Sequence, residues 1–329
     1  MKTRKGWKDL RLIRFLMPFL IGISLGSATS VYADDYPNRY IDLIIPYGPG
    51  GGTDLGPRIW KECLEKALGK PLIWNYKPGA GAIVGVTYFK TLRPDGYSLM
   101  SISTPSYITP VAAGRTKNWG MDDFTPVGTV CMYPQVICVK KESPYRTLQD
   151  LIEAAKKKTM TFATSGVLSV AHLVTEALFE EAGVPAFTHI PSKTGAADAA
   201  TSVMGGHVDI FVGATTGIEN QLRILAVSTE KRFETLPDVP SLKEFGYSAV
   251  SPSYISLWAP RGTSEERVSK IHQSIKRCFQ ENREVFQQRA AAINNSAIVL
   301  SPGELLEIVS KDFKWFKSMC DKLAAGVKK

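Results

Sequence analysis

Short β-branched runs alternate with amphipathic helical stretches along most of this 329-residue chain, and glycine-rich turns lie between many of them. The clearest unit is a strand predicted at Ile41–Ile45, followed by a glycine turn and a helix predicted from Asp54 to Leu68. Apolar side chains in that helix recur at helical spacing, and Gly69 stands where such a helix would end. This alternation predicts α/β layers with a mainly parallel sheet.

The rest of the chain repeats the pattern. Further strands are predicted at 71–76, 97–103, 136–140, 160–164, 187–190, 208–212 and 224–228. Three helix starts have the form of capping boxes, at Thr147-Leu-Gln-Asp150, Thr263-Ser-Glu-Glu266 and Ser301-Pro-Gly-Glu304. At roughly 150 residues per domain, the length indicates about two domains.

The first 33 residues have the three parts of a secretory signal peptide. Six Lys and Arg side chains lie within residues 1–14, an apolar run follows from Phe15, and Val31-Tyr-Ala33 has the form of a cleavage site. A signal anchor is the alternative, but Pro18 interrupts the run, which is shorter than the roughly 20 residues of a membrane span. We therefore expect cleavage after Ala33 and a soluble, exported chain in a bacterial periplasm.

Removing this leader changes the charge balance. The whole chain carries 40 Lys and Arg against 31 Asp and Glu, whereas the chain from Asp34 onward has 34 against 30, a net charge of +4. The basic residues are scattered and form no stripe, so we expect no nucleic-acid partner. No other apolar stretch in the sequence is long enough to span a membrane.

Five cysteines at wide spacing exclude a disulfide-dense scaffold, and none of them forms a CxxC pair. Cys131 and Cys138 are seven residues apart in one extended-looking segment, which predicts that they face opposite sides of one strand. Cys278 and Cys320 lie on two predicted C-terminal helices and could form a disulfide. The alternative is that both are small, buried apolar side chains.

Four turns rich in glycine, serine or threonine follow predicted strands. They are Pro46–Asp54, Lys77–Gly85, Thr164–His172 and Pro191–Ala197. A helix start offers unpaired backbone N–H groups and the positive end of the helix dipole, so such turns favour anions. Because ligands of open α/β sheets bind at the carboxyl ends of strands, and two turns lie in each half of the chain, a cleft between two domains is expected.

Sequence motifs of common enzymes are absent from the mature chain. Thr53 stands where a dinucleotide-binding loop has its third glycine, no P-loop occurs, and the GxSxG string lies inside the leader. The four histidines are not at metal-binding spacing. His172 near Ser165 and Ser169 could suggest a base beside a nucleophile, but a packed or hydrogen-bonding histidine is the simpler interpretation. We expect no catalysis, no cofactor and no metal.

Several further motifs occur in order along nearly the whole mature chain. They include the first glycine turn, Asn75-Tyr-Lys-Pro-Gly-Ala-Gly81, Arg93-Pro-Asp-Gly-Tyr97, Gly205-Gly-His-Val-Asp209 and Trp258-Ala-Pro-Arg-Gly-Thr263. Together they resemble the substrate-binding receptors of tripartite tricarboxylate transporters, the Bug family. The resemblance implies an α/β periplasmic binding protein of type II, with two domains and a ligand cleft between them. Residues 34–133 and 254–329 would form a discontinuous first domain, and residues 134–253 the second.

The same resemblance implies which residues contact the solute. Family members hold small carboxylated solutes largely through backbone amides, hydroxyls and ordered water. Carried over, the contacts are Tyr47, Gly51, Gly52, Thr53, Asp54, Gly79, Ala80, Gly81, Ser103 and Thr104 in the first domain, and Thr164, Ser165, Gly166, His172, Ser192 and Gly195 in the second. A monomeric receptor that delivers its solute to a membrane permease is implied. The alternatives are a receptor that presents its ligand to a signalling protein, and a secreted enzyme that uses the glycine turns as an anion site.

Two segments of the second domain depart from the family pattern. Ser192 stands where family members usually have an aromatic residue, with one extra residue before Gly195, and the segment 213–223 is shorter than usual. Because both departures lie on the second domain's side of the cleft, the resemblance does not identify the solute. In the first domain, a carboxylate of Asp54 facing the cleft would favour an ammonium or hydroxyl group of the ligand. We expect instead that Asp54 mainly caps the helix, with Thr53 as the other candidate for the N-cap.

Overall fold

The structure is a computed structural model that describes residues 35–193, 195–214 and 221–326; the proposed signal peptide and its cleavage site lie outside them. The strands are β1 (Ile41–Ile45), β2 (Leu72–Tyr76), β3 (Ser98–Ser103), β4 (Phe124–Tyr133), β5 (Gln135–Lys140), β6 (Met160–Thr164), β7 (Phe187–Pro191), β8 (Ile210–Ala214), β9 (Leu222–Val227), β10 (Ser253–Pro260) and β11 (Ser296–Ala297). The helices are α1 (Gly52–Leu68), α2 (Ile83–Lys90), α3 (Thr104–Ala112), α4 (Leu148–Lys157), α5 (Val170–Glu181), α6 (Ala196–Met204), α7 (Glu265–Ala291) and α8 (Pro302–Gly326).

Two mixed sheets form the framework, with the strand orders β11-β4-β10-β3-β1-β2 and β7-β6-β8-β5-β9. β1 is parallel to β2 and β3, and β6 is parallel to β7 and β8, as the strand–helix alternation predicts. β10 is antiparallel to β3 and β4, and β5 is antiparallel to β8 and β9. The expectation of a mainly parallel sheet is therefore wrong, because β5 and β10, the first strands after the chain changes sheet, enter in the opposite direction.

The chain passes between the sheets twice. Pro134 separates β4 in the first sheet from β5 in the second, and the return runs from β9 to β10. Buried Ser228 ties the two crossings together, since its N–H donates to the Gln135 carbonyl at 2.9 Å and its Oγ accepts from the Gln135 N–H at 3.1 Å. Gln135 Nε2 also donates to Ser253 Oγ at 2.9 Å. Both crossings are thus held by buried hydrogen bonds.

A continuous apolar core runs through both sheets. It includes Ile137 of β5, Phe162 of β6 and Phe316 of α8, and α8 packs against α3 and β4 while also contacting α5. A second core covers another face of the first sheet, where the ring centroids of Trp60 in α1 and Phe286 in α7 lie 4.4 Å apart. Among the described residues, no helix combines the length and the apolar composition needed to cross a membrane.

The cysteines are arranged differently from the expectations. Cys63 of α1 is bonded to Cys278 of α7, with Cα atoms 5.9 Å apart, so the suggested pairing of Cys278 with Cys320 is wrong. Cys278 and Cys320 belong to different apolar cores, and Cys320 is buried in its own. Cys131 lies in β4 and Cys138 in β5, so the prediction that one strand carries both is also wrong. The proline between them ends one strand, because it has no N–H to donate.

The helix starts follow local hydrogen-bonding rules. The capping boxes at Thr147 and Ser301 are confirmed by reciprocal side-chain and backbone hydrogen bonds. The capping box predicted at Thr263 is wrong by one residue, because Ser264 is the N-cap of α7 and accepts from the Arg267 N–H. Thr263 Oγ1 donates to the Pro260 carbonyl instead, so its hydroxyl closes the turn after β10.

Candidate functional site

A cavity of about 290 Å³, here called the inner cavity, lies where β1, β3, β6, β7 and β8 end. Seven residues predicted to contact the solute line it: Tyr47, Gly51, Gly52, Thr53, Ser103, Ser165 and Gly195. The other lining residues are Gly48, Pro49, Ser106, Tyr133, Ala196, Ala197, Asp198 and Ala214. Residues from the ends of both sheets therefore share one cavity, as the position of the glycine turns predicts.

A larger outer cavity of about 480 Å³ adjoins the inner one and shares Tyr47, Ser165 and Gly195 with it. Five more predicted residues line this outer cavity: Gly79, Ala80, Gly81, Gly166 and Ser192. The remaining four, Asp54, Thr104, Thr164 and His172, are buried and line neither cavity. The structure places these four behind the cavity walls, where Asp54, Thr164 and His172 are hydrogen-bonded to the turns that form the walls.

The start of α1 forms one wall of the inner cavity. Gly51 is the N-cap, so the amides of Gly52 and Thr53 belong to the first turn, where N–H groups have no acceptor within the helix. A Cβ atom on Gly52 would lie 2.9 Å from the ring of Tyr133, so a larger residue there would push the ring away. The glycines thus bring the backbone amides of the helix start to the cavity surface.

Asp54 stabilises this turn from inside. The residue is 2% exposed; Oδ2 accepts from the Gly50 N–H at 2.8 Å, and Oδ1 accepts from Arg58 Nε at 2.7 Å and from the Tyr76 hydroxyl at 2.9 Å. The expectation that Thr53 or Asp54 is the N-cap is wrong, because Asp54 is the third residue of the helix. Asp54 reaches back to the residue before the cap, and its carboxylate does not line the cavity.

Several hydroxyl groups line the inner cavity. Ser103 Oγ donates to Ser106 Oγ at 2.7 Å, and the phenols of Tyr47 and Tyr133 line the same cavity. Burial raises the pKa of both phenols above its ordinary value, and nearby serine hydroxyls lower it by less. The phenols therefore stay neutral and offer hydroxyl groups to a ligand.

Thr164 and His172 hold the turn that carries Ser165. Thr164 Oγ1 is hydrogen-bonded to His189 Nε2 at 2.8 Å, and His172 Nδ1 accepts from the Leu168 N–H at 3.0 Å. The two imidazole rings stack with centroids 4.0 Å apart. Burial lowers the pKa of His189 to about 3, and the nearby His172 adds to that shift. A neutral His189 can therefore support the turn at physiological pH.

The fourth glycine turn leads into α6. Gly195 is the N-cap with a φ of 131°, a conformation that favours glycine, and its N–H donates to Ser192 Oγ at 3.0 Å. Asp198, the third residue of α6, accepts a hydrogen bond from Ser192 Oγ at 2.6 Å through Oδ2. A carboxylate therefore stands at the second-sheet wall of the inner cavity.

Unusual backbone conformations form one wall of the outer cavity. Gly79, Ala80, Gly81 and Ala82 all have positive φ, and for alanine this conformation costs about 1 kcal/mol or more. Arg115 and Lys193, both with exposed side chains, also line this cavity. The outer cavity is the basic end of the cleft.

The arrangement suits binding and offers little for catalysis. Ser169 is the N-cap of α5 and accepts from the backbone N–H of His172, not from its imidazole. Among the described lining residues of the inner cavity, none is a histidine, cysteine, lysine or arginine. Backbone amides and hydroxyls can nonetheless hold a carboxylate, since charge-assisted hydrogen bonds are strong in a closed, poorly solvated cleft.

Sequence reasoning missed five of the residues at these cavities: Ser106, Arg115, Tyr133, Asp198 and Ala214. A signal for the first existed, because Pro105 directly precedes Ser106 in the first turn of α3, where proline is common. Asp198 lies in a helix start that was recognised only for its glycine. Tyr133 and Ala214 end strands, and nothing local distinguishes them from other strand ends.

Known proteins are similar to this chain over most of its length. The family described as the tripartite tricarboxylate transporter family receptor matches residues 57–288. A Cupriavidus necator protein described as "UPF0065 protein in gbd 5'region" is 31% identical over 299 residues, which are 88% of this chain and 89% of that protein.

Solved structures show the same fold. The periplasmic binding protein BugD is 28% identical, with a TM-score of 0.78 over 87% of this chain and 98% of its own. MatC from Rhodopseudomonas palustris with bound malate is 22% identical, with a TM-score of 0.78 over 87% of this chain and 100% of its own. The two mixed sheets are thus those of a periplasmic binding protein.

Proposed function

Because the chain belongs to the tripartite tricarboxylate transporter receptor family, we propose that it binds a small carboxylated solute in the cleft and delivers it to a membrane permease. It is a solute-binding receptor of a non-enzymatic, periplasmic family. Which solute it takes, and which residues hold it, are the parts that rest on the geometry of the cavities.

The observation that carries the proposal is the shared inner cavity. Backbone amides at the start of α1 reach the cavity from the side of the first sheet, and those at the start of α6 reach it from the side of the second. Ser103 and Ser165 add hydroxyl groups. Two helix starts with their positive dipole ends at one cavity favour an anion. The volume of about 290 Å³ is near the lower limit of about 300 Å³ for small-molecule sites, which favours a small acid.

The two crossings of the chain support a hinged receptor. We propose that residues 34–133 and 254–329 move as one domain and residues 134–253 as the other, with Gln135, Ser228 and Ser253 at the hinge. Closure would exclude water from the cleft and strengthen the hydrogen bonds to the solute. The contacts would be the predicted residues that line the two cavities, with Asp54, Thr104, Thr164 and His172 positioning them.

Export and cleavage after Ala33 complete the proposal, since the leader has the sequence of a signal peptide. Mass spectrometry of the protein recovered from the periplasm would give the mature N-terminus. A mass that begins at Asp34 supports the proposal, and a chain that keeps residues 1–33 contradicts it.

Thermal unfolding of residues 34–329 with a panel of acids tests the binding function. The panel contains mono-, di- and tricarboxylates, amino acids and aromatic acids, and nucleotides serve as a comparison class. A ligand at 100 times its Kd stabilises the folded chain by about 2.7 kcal/mol, a shift of several degrees. Stabilisation by one class of carboxylate supports the receptor. Stabilisation by nucleotides alone, or by nothing in the panel, contradicts it.

A further inference from the structure

The inner cavity carries a negative charge that a simple acid receptor does not need. Among the described residues that line it, Asp198 alone has a carboxylate side chain, and none has a cationic side chain. The basic residues of the cleft, Arg115 and Lys193, line the outer cavity instead. A second carboxylate brought into the inner cavity therefore meets a like charge with no cation among the described walls to offset it.

The surroundings of Asp198 fix its position without using all of its hydrogen-bonding capacity. Oδ2 accepts from Ser192 Oγ at 2.6 Å, and Ser192 Oγ accepts from the Gly195 N–H at 3.0 Å. Oδ1 makes no hydrogen bond with the described residues, and the Asp198 side chain is exposed. An ionised carboxylate accepts hydrogen bonds and donates none, so the group that satisfies Oδ1 must be a donor.

The amides of the helix starts and the carboxylate of Asp198 thus make opposite demands on one small ligand. The amides of Gly52 and Thr53 favour an acceptor with negative charge, whereas Asp198 favours a hydroxyl or an ammonium group. An acid with a donor on the carbon next to its carboxylate meets both demands within a cavity of about 290 Å³. An acid without that donor leaves two carboxylates facing one another.

We propose that Asp198 is a specificity-determining residue that selects acids carrying a hydroxyl or amino group beside the carboxylate. This inference rests on the proposed function, since it assumes that the cleft binds an organic acid. The ligand class is then the 2-hydroxy acids and 2-amino acids, and the chemistry that they share is a hydrogen-bond donor within reach of Asp198. Ser192, where this turn departs from the family pattern, holds the Asp198 carboxylate in place through its hydroxyl.

Matched acids that differ only at the 2-position test the proposal. Each set has a hydrogen, a hydroxyl or an amino group there: succinate, malate and aspartate; glutarate, 2-hydroxyglutarate and glutamate; propionate, lactate and alanine; phenylacetate, mandelate and phenylglycine. Calorimetry gives the Kd of each for the wild type and for Asp198→Asn, whose amide oxygen can still accept from Ser192. Asp150→Asn is the matched control, since Asp150 is also the third residue of a helix, in a capping box away from both cavities.

We expect the wild type to bind the donor-bearing member of at least one set tenfold or more tightly than the unsubstituted acid. Asp198→Asn should reduce that ratio at least fivefold, most for the amino acid because its ammonium loses a charge-assisted partner, and Asp150→Asn should leave it unchanged. If Asp198→Asn does not fold, Asp198→Ala, which removes the carboxylate altogether, should show the same loss. Tight binding of unsubstituted acids, or an unchanged ratio in the variants, overturns the role of Asp198 alone. Failure of every acid to bind the wild type overturns the proposed function as well.

Discussion

Replacing Gly51 with alanine would separate binding from folding at the first glycine turn. A Cβ atom on Gly51 meets nothing within 4 Å, and its φ of −88° and ψ of 170° suit alanine. As an N-cap, alanine is less favourable than glycine by up to about 1 kcal/mol, whereas it reduces the entropy of the unfolded chain by a similar amount, about 0.4–1 kcal/mol. The two effects oppose each other, so we expect stability to change by less than about 1 kcal/mol.

Binding should respond much more strongly. The new methyl group would stand in the inner cavity beside the amides of Gly52 and Thr53, because Gly51 itself lines that cavity. Displacing one hydrogen bond between an amide and a charged group costs about 1.5–3 kcal/mol, which corresponds to a roughly 10- to 150-fold weaker Kd. Urea unfolding gives the stability, and calorimetry with the acid that stabilises the wild type most gives the affinity.

Gly120→Ala is the control for this experiment. Gly120 also has open space around its Cβ position and no positive φ, but it lines neither cavity. It should leave affinity unchanged. If Gly51→Ala folds and binds as tightly as the wild type, the start of α1 is not the anion site and the reasoning from its backbone amides is refuted.

Three further predictions concern stability. Reduction of the bond between Cys63 and Cys278 should lower the free energy of unfolding by about 2–5 kcal/mol in urea, because the bond closes a loop of 215 residues; equal midpoints with and without reductant would contradict this. Asp54→Asn should lower the free energy of unfolding by about 1–3 kcal/mol without changing ligand preference, since the carboxylate holds the Gly50 N–H and does not line the cavity; a changed preference at full stability would show that it faces the ligand. His189 has a pKa of about 3 in the folded chain against 6.5 unfolded, so the unfolded chain binds more protons between these values and stability should fall as the pH drops below 6.5. The slope stays below the one-proton limit of about 1.4 kcal/mol per pH unit, because the ring is only partly buried. Urea unfolding at pH 7 and pH 5 should show a smaller difference for His189→Gln, and an unchanged difference would assign the effect to other groups.

The strands could be predicted well because their signals are local. The bounds of β1 and β6 match the predicted ones, and both strands are short β-branched or aromatic runs bounded by turns. The helix start at Thr147 was equally predictable, since the capping box is a contact between residues three positions apart. The family motifs added the position of the cleft, which the glycine turns had indicated independently.

The sequence predicts Ser103 and Thr104 as solute contacts at the end of a strand and does not predict α3. Ser103 is the N-cap, Thr104 is the first helical residue, and nearly all of the helix is buried, including Tyr107. A buried helix lacks a polar face, so the amphipathic pattern that identifies surface helices is missing from this segment. Only its packing against α8 and the strands around it shows why it is helical.

Sequence by itself determined the alternation of strands and helices, the glycine turns at strand ends and therefore the expectation of an anion-binding cleft, because each depends on residues close together in the chain. Tertiary structure alone decided that Cys63 pairs with Cys278, that β10 runs antiparallel between β3 and β4, and that Asp198 reaches the cavity while Asp54 does not. These outcomes depend on how distant segments pack. A side chain at a helix start can point toward the ligand or back into its own turn. Asp54 is held in its turn by Tyr76, which is 22 residues away in the chain. Asp198 is held by Ser192, only six residues before it, and the cavity that it reaches exists because the first sheet supplies the opposite wall.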